Sequence, residues 1–212
     1  MKISINKIIR ILISTDFIFL SALGLIAPIF AVFVTGQIKG GNVEVVGFAA
    51  AIYWIFKSIL QVPIGNFLDK RKGERDDLYF LVVGYLVVAC VQFGYILSSL
   101  PWHIYILEGI YAIGMAMAIP AWPAIFTRHI DRGKEAFEWS LESTAYSFGI
   151  GVTGAVGGIL VAKFGFNMVF FIAGFIAFLG GLLPLFIIKD VIIKDVKRHG
   201  NHSLRFLRKI GL

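Results

Sequence analysis

Charge and cysteine are what this 212-residue chain has least of. Only 16% of its residues are charged, against about a quarter in an ordinary soluble domain. Hydrophobic residues make up 58%, and the mean hydropathy is +0.84. Too little polar surface remains to cover a globule in water, which excludes a soluble domain. The one cysteine, Cys90, lies in an apolar run, so no disulfide can form within the chain and no multi-cysteine metal site can be built. His103, His129, His199 and His202 are scattered near helix ends or in the tail. No glycine-rich nucleotide loop, zinc-ligand spacing or nucleophile elbow occurs. No enzyme chemistry, metal or cofactor is therefore expected.

What is present is a series of six apolar stretches, at about 14–36, 43–67, 77–99, 101–127, 139–163 and 166–188, separated by short polar breaks. About twenty residues cross the hydrocarbon core, and a crossing segment must satisfy its own backbone hydrogen bonds, so each stretch is expected to be a helix. The beginning, Lys2 to Ala27, has the basic-then-apolar order of a signal peptide. Asp16 interrupts it, however, and the apolar run continues past Pro28 to Val34. That is long enough to span, so it is expected to be an uncleaved first transmembrane helix.

The net charge of +7 would suit nucleic acid, but its distribution is topological. Seventeen of the twenty basic residues lie at the N-terminus (Lys2, Lys7, Arg10), in the second loop (Lys70, Arg71, Lys72, Arg75), in the fourth (Arg128, Arg132, Lys134) and in the tail. Two, Lys39 and Lys163, fall on the other side, and Lys57 lies inside a helix. Basic residues collect on cytoplasmic loops, so both ends are expected in the cytoplasm, and no nucleic-acid partner is needed. In the tail, 189–212, Leu204, Phe206, Leu207 and Ile210 face away from Arg205, Arg208 and Lys209 on a helical wheel. Such a segment is expected to lie on the cytoplasmic membrane surface.

A faint repeat divides the bundle. Pro28 and Pro120 are 92 residues apart, as are Asp16 and Glu108, and the segment Gly65–Lys70 is echoed 93 residues later by Gly158–Lys163. Each unit holds three helices, an odd number, so the two copies must be inverted, as in secondary transporters. The expected fold is an all-α membrane protein: six transmembrane helices over 1–188, built as two inverted three-helix repeats at about 11–99 and 101–188.

The loop after the second helix reads Gly65-Asn66-Phe67-Leu68-Asp69-Lys70-Arg71-Lys72-Gly73-Glu74-Arg75. It resembles the loop of the major facilitator superfamily, Gly-x-x-x-Asp-(Arg/Lys)-x-Gly-(Arg/Lys)-(Arg/Lys), with one extra residue before Gly73 and Glu74 where a base is usual. Gly149-x-x-x-Thr153-Gly154-x-x-Gly157-Gly158 is similar to that family's Gly-x-x-x-Gly-Pro-x-x-Gly-Gly in helix 5, with Thr153 and Gly154 in place of Gly-Pro. Small residues at this spacing let helix backbones touch. The family associates the intact pattern with exporters. Phe164-Gly165-Phe166-Asn167 followed by Val169-Phe170-Phe171 is similar to its lead-in to helix 6. The resemblance covers helices 1–6, half of a twelve-helix member. It implies a central cavity lined by helices 1, 2, 4 and 5, and an Asp69 that contacts an opposite half. The tail resembles the start of the loop that joins two such halves.

Helix 4 departs from the family, which often has Arg-x-x-Gln-Gly-x-Gly there, the arginine being linked to proton coupling. Alignment on Ile113-Gly114 and Pro120 puts Glu108 at the arginine position, Tyr111 at the glutamine and Ala112 at the first glycine. Lys57 is then the lone intramembrane base. Charge at the membrane centre costs at least about 2.5–3.5 kcal/mol and normally faces a cavity and a partner. Asp16, Lys57, Glu108 and Glu142, with Tyr111, are accordingly the candidate substrate and proton pathway. Lys57 is expected to pair with an acid, and Glu108 or Asp16 to take a proton or a cationic substrate. The alternative for Asp16 and Glu142 is an interfacial, helix-capping role. Tyr53, Trp54, Tyr111 and Trp122 are candidates for stacking on an aromatic substrate, or for packing between helices.

The expected function is transport of a small solute across the cytoplasmic membrane by alternating access, coupled to protons, with a tilt towards export. One six-helix bundle has nothing to rock against, so a homodimer or a separate second half is expected as partner. The other function that fits is a non-transporting scaffold or accessory subunit, or an inactive truncated half.

Overall fold

The computed structural model describes residues 5–71 and 73–191. The basic tail from 192 onward, with the surface helix expected there, lies outside the described residues. All regular structure among the described residues is helical.

Helix α1 (Lys7–Gly24) starts where the Asn6 side chain accepts the Ile9 N–H at 3.0 Å, occupying one of the donors that a helix start leaves unpaired. It stops where Pro28 has no N–H to offer the Gly24 carbonyl. A turn over 25–29 follows, then a short α2 (Phe30–Gln37). The single helix expected over 14–36 is thus two helices with an irregular joint, and the proline is the physical reason. Helix α3 (Val43–Lys70) is capped by Asn42, whose side chain accepts the Val45 N–H at 2.9 Å. Helix α4 (Glu74–Ile96) begins after Gly73 and carries Glu74, Asp76 and Asp77 in its first turn, where the helix dipole favours anions. Helix α5 (Pro101–His129) has a proline in its first turn, where no N–H is missed.

The last element, α6 (Glu135–Leu182), has 48 residues and leads into a 3₁₀ turn, Leu183–Ile187. A straight helix of that length would run about 72 Å, over twice the roughly 30 Å of hydrocarbon. Gly165 breaks it, with φ 77° and ψ 171°, a conformation essentially closed to residues with a Cβ. Gly149 lies against Phe17 and Ser21 of α1, and Gly180 against Ile18 and Phe19. Points about equally far before and after Gly165 thus meet the same stretch of α1. The element is a hairpin of two arms, 135–164 and 166–182, turned at Gly165.

Helix α1 packs along α6, while α4 packs on both α5 and α6. Phe93 of α4 meets Gly174 and Tyr85 meets Gly181, both on the second arm. Helix α3 leans on α5, with a lesser contact to α2. It therefore leaves Ile55, Ile59 and Val62 exposed, and the first arm of α6 leaves Phe148, Val152 and Ile159 exposed. Helices α3, α4, α5 and α6 are long and apolar enough to cross a membrane. Helix α1 carries Lys7, Arg10 and Asp16 within eighteen residues.

The two ends of the bundle differ. At one, the Asn6 amide donates to the His129 carbonyl at 2.8 Å and to Asp131 at 3.1 Å, and the Asp131 N–H donates to Glu138 at 3.1 Å. The Asn6 donation holds the Asp131 carboxyl below its ordinary range. Arg128 pairs with the buried Asp77, His129 lies 3.4 Å from Glu74, and Lys7 pairs with Asp190 at 2.6 Å. At the other end the Lys39 N–H donates to the Ser99 carbonyl at 3.0 Å, joining two loops. The starts of α1, α4 and α6 and the end of α5 thus share the strongly charged end.

Candidate functional site

A cavity of about 440 Å³ opens in the bundle, with walls from α1 to α5 and the first arm of α6. The joint between α1 and α2 supplies Ile26 and Ala27, with Gly24 and Phe30 at the helix ends on either side. Irregular backbone at membrane depth is tolerated where it lines a cavity or is buried in protein, and broken helices commonly form transporter binding sites. Helix α3 adds Tyr53 and Trp54, α4 adds Gln92 and Tyr95, and α5 adds Glu108, Tyr111 and Met115.

Glu108 is 6% exposed and accepts the Tyr95 hydroxyl at 2.8 Å. A carboxylate offers about four acceptor positions, so one hydroxyl leaves it with acceptor capacity. No Lys, Arg or His among the described residues pairs with it. Rings surround it. Tyr53 and Tyr111 lie 4.9 Å apart between centroids, and Phe30 meets Tyr95 edge-on at 5.3 Å. Gln92 is buried with its amide donated to the Val88 carbonyl at 3.2 Å.

Lys57 lies one turn beyond Tyr53 on α3. Its ammonium sits 4.1 Å from the Trp54 ring centroid and 5.4 Å from that of Tyr53. No acid among the described residues forms an ion pair with it. The expected Lys57–acid pair is not found among the described residues, where aromatic faces meet the charge instead. The reason is packing: α3 contacts mainly α5, and Glu108 there is engaged by α4.

Asp16 and Glu142 form a second acidic group and are not among the residues that line this cavity. Asp16, 7% exposed, accepts the Tyr85 hydroxyl at 2.6 Å, and Glu142, 8% exposed, is near enough for its charge to act on both. Neither caps a helix: Asp16 lies mid-α1 and Glu142 two turns into α6. Asp16 and Glu108, the two acids at repeat spacing, are therefore each hydrogen-bonded by a tyrosine of α4.

The loop motif spreads over the charged end. Asp69, Lys70 and Arg71 are exposed, Arg71 pairs with Asp76 at 3.4 Å, and Arg75 donates to Tyr79 at 3.2 Å. A Cβ on Gly65 would make an ordinary 3.6 Å contact with Pro120. Of the helix 5 glycines, Gly149 and Gly157 press on α1 and its joint, Gly154 lies 3.7 Å from Gly24 and Pro28 by the same measure, and Gly158 faces open space. Trp122 packs on Phe126 and Trp139, apart from the cavity lining.

Apolar membrane-length helices around one carboxylate-bearing cavity define a protein built for a bilayer. The chain belongs to the Major Facilitator Superfamily, whose family model matches residues 12–208. That family consists of transporters rather than enzymes, and with its apolar helices the chain is an integral membrane protein. It is 22% identical over 196 residues to an uncharacterized MFS-type transporter of Methanocaldococcus jannaschii, an alignment covering 91% of this chain and 48% of that protein. It is 29% identical over 196 residues to multidrug resistance protein 2 of Bacillus subtilis, covering 90% of this chain and 46% of that one. The chain spans about half the length of the curated relatives it matches.

Proposed function

We propose that the chain is one half-bundle of an alternating-access transporter that loads a small solute beside Glu108 and couples its movement to protons. The observation that carries this is the site itself: a buried carboxylate with acceptor capacity, in a cavity walled partly by a broken helix. We assign six crossings, α1 with α2 forming the first and the two arms of α6 the fifth and sixth. They compose two inverted three-helix units over about 11–99 and 101–188, with the tail beyond.

The charged end gathers Lys7, Arg71, Arg75, Arg128 and Lys134 of the described residues, which supports placing it and both chain ends in the cytoplasm of a cell whose cytoplasmic membrane holds the protein. The apolar faces of α3 and the first arm of α6 are where a second bundle would rest, either another copy or a separate half, with the exposed Asp69 reaching across. The close-packed Gly149 and Gly157 support the tilt towards export.

The chain covers half of its relatives' length, which also fits an accessory role without transport. Purified protein in liposomes holding a pH-sensitive dye separates the two functions. With a panel of small solutes under an imposed pH gradient, the wild type is expected to show solute-dependent proton movement. Glu108→Gln is expected to lower it about tenfold or more, the scale on which losing a hydrogen bond to a charged group acts. Proton movement indifferent to every solute and to this substitution would leave the accessory role standing.

A further inference from the structure

The hairpin of α4 and α5 carries a groove that the central cavity does not use. The two helices close on each other at glycines. A Cβ on Gly84 would lie 2.5 Å from the Gly114 carbonyl oxygen, and one on Gly94 would lie 2.5 Å from Leu107 Cδ2. Beside that seam is a hollow of about 360 Å³, walled by Val83, Leu86, Val87 and Cys90 of α4 and by Leu107 and Ile110 of α5. Val83, Cys90 and Ile110 are exposed, so the hollow opens outward. A second hollow of about 260 Å³ follows towards the loop between the helices, with Gly94, Ser98, Trp102 and His103, and it shares Leu107 with the first. The two run end to end as one groove, apart from the faces of α3 and α6 assigned to a second bundle.

Its chemistry changes along its length. The deep part offers aliphatic side chains and one thiol. A trapped water needs two to four polar partners, and an unfilled hollow forfeits dispersion contacts; a hydrocarbon chain avoids both losses. The mouth is different. His103 Nδ1 accepts the Ser99 and Leu100 N–H groups at 3.1 and 3.2 Å, so the ring keeps its own N–H at Nε2. The Trp102 ring lies 3.9 Å from that of His103 and is 54% exposed, which adds an indole N–H. Neither N–H has a partner among the described residues. The Lys39 N–H donates to the Ser99 carbonyl at 3.0 Å, which steadies the loop beneath them. From Val83 to Leu97 the groove runs about 21 Å along α4, enough to cover the roughly 15 Å of hydrocarbon in one leaflet and reach the headgroups.

We infer that this groove holds one phospholipid of the leaflet at the Lys39–Ser99 end, an acyl chain lying against Cys90 and the phosphate accepting from His103 and Trp102. No Asp, Glu, Lys or Arg lines the groove, so it reads the phosphate and not the net charge of the headgroup. The inference needs only that the chain stands in a bilayer, and it is independent of transport.

Purified, delipidated chain in mild detergent is titrated with dioleoylphosphatidylcholine, dioleoylphosphatidylglycerol and dioleoylglycerol, and adducts are counted by native mass spectrometry. One saturable phospholipid per chain is expected, equally tight for the two headgroups. Dioleoylglycerol, which lacks the phosphate, is expected to bind about tenfold more weakly. Cys90→Trp fills the groove and is expected to weaken the phospholipid about tenfold, while Ile159→Trp, on another exposed face, changes nothing. Trp102→Phe keeps the ring and loses the N–H. It is expected to weaken the phospholipid about threefold and to leave dioleoylglycerol unchanged, which a merely structural loss would not do. Unsaturable adducts, or equal binding of phospholipid and dioleoylglycerol on the wild type, would overturn the inference without any variant having to fold. Cys90→Trp matching the wild type would overturn it as well. Ready disulfide cross-linking of two chains through Cys90 in liposomes would show that a second copy covers the groove, and would also overturn it.

Discussion

Replacing Gly157 with alanine is expected to unseat α1 from α6 and leave little correctly folded protein. A methyl group there would drive into the Leu25 carbonyl oxygen and lie 2.8 Å from its carbon and 3.0 Å from its Cα. All three atoms are backbone, which cannot swing aside as a long side chain can. Leu25 opens the joint between α1 and α2, so the displaced backbone is also next to the cavity wall. Overpacking a tight interface costs about 1–3 kcal/mol and more where nothing yields, and the upper end of that range applies here. Gly158→Ala is the matched control, because a methyl there meets nothing within 4 Å. Thermal unfolding in detergent is expected to show a large drop for the first and little change for the second. Equal melting would mean that α1 and the first arm do not touch as described.

Arg128→Met is the second large effect. Asp77 in the first turn of α4 has a side chain 1% exposed, and Arg128 near the end of α5 is 28% exposed. Each charge also suits the dipole at its own helix end. Removing the arginine strands a buried carboxylate, and breaking a buried pair from one side costs about 3–5 kcal/mol. Asp77→Asn in the same chain is expected to restore much of that, because the stranded charge is then gone. The two single variants and the double form a thermodynamic cycle whose coupling term is the measurement. Additive losses would show that the pair contributes nothing of its own. In the sequence Arg128 reads only as a topology marker; its partner, 51 positions away, is set by how α4 and α5 pack.

The same contrast runs through the site. Glu108 and Tyr111 were legible because they stand in an aligned motif at positions where other residue types are usual. Tyr53 and Trp54 were legible as aromatic side chains fit for stacking on a solute, but not as the rings that hold the Lys57 ammonium. Tyr95 and Tyr85 were not, because the third apolar run offers no motif. The available signal was Gln92, a polar side chain deep in that run. Apolar run length and polar breaks carried the ends of α3, α4 and α5 to within a turn, since both are fixed locally. The joint at 25–29 was missed, although Pro28 was in view, because an apolar run does not reveal whether a proline is bridged or breaks the helix. Lys57 illustrates the limit best: its charge demanded a partner, but only the packing of α3 decided that aromatic rings would supply it.

Alternating access at the Glu108 cavity is tested most directly by the accessibility of a single thiol within it. Met115 lines the cavity, so Met115→Cys is introduced with Cys90→Ser, which removes the chain's own exposed thiol. A membrane-impermeant maleimide is then applied to sealed vesicles of each orientation. A cavity that opens to both sides in turn predicts labelling from either face, at rates that shift in opposite directions when a pH gradient is imposed. Labelling from one face alone, indifferent to pH, would contradict it.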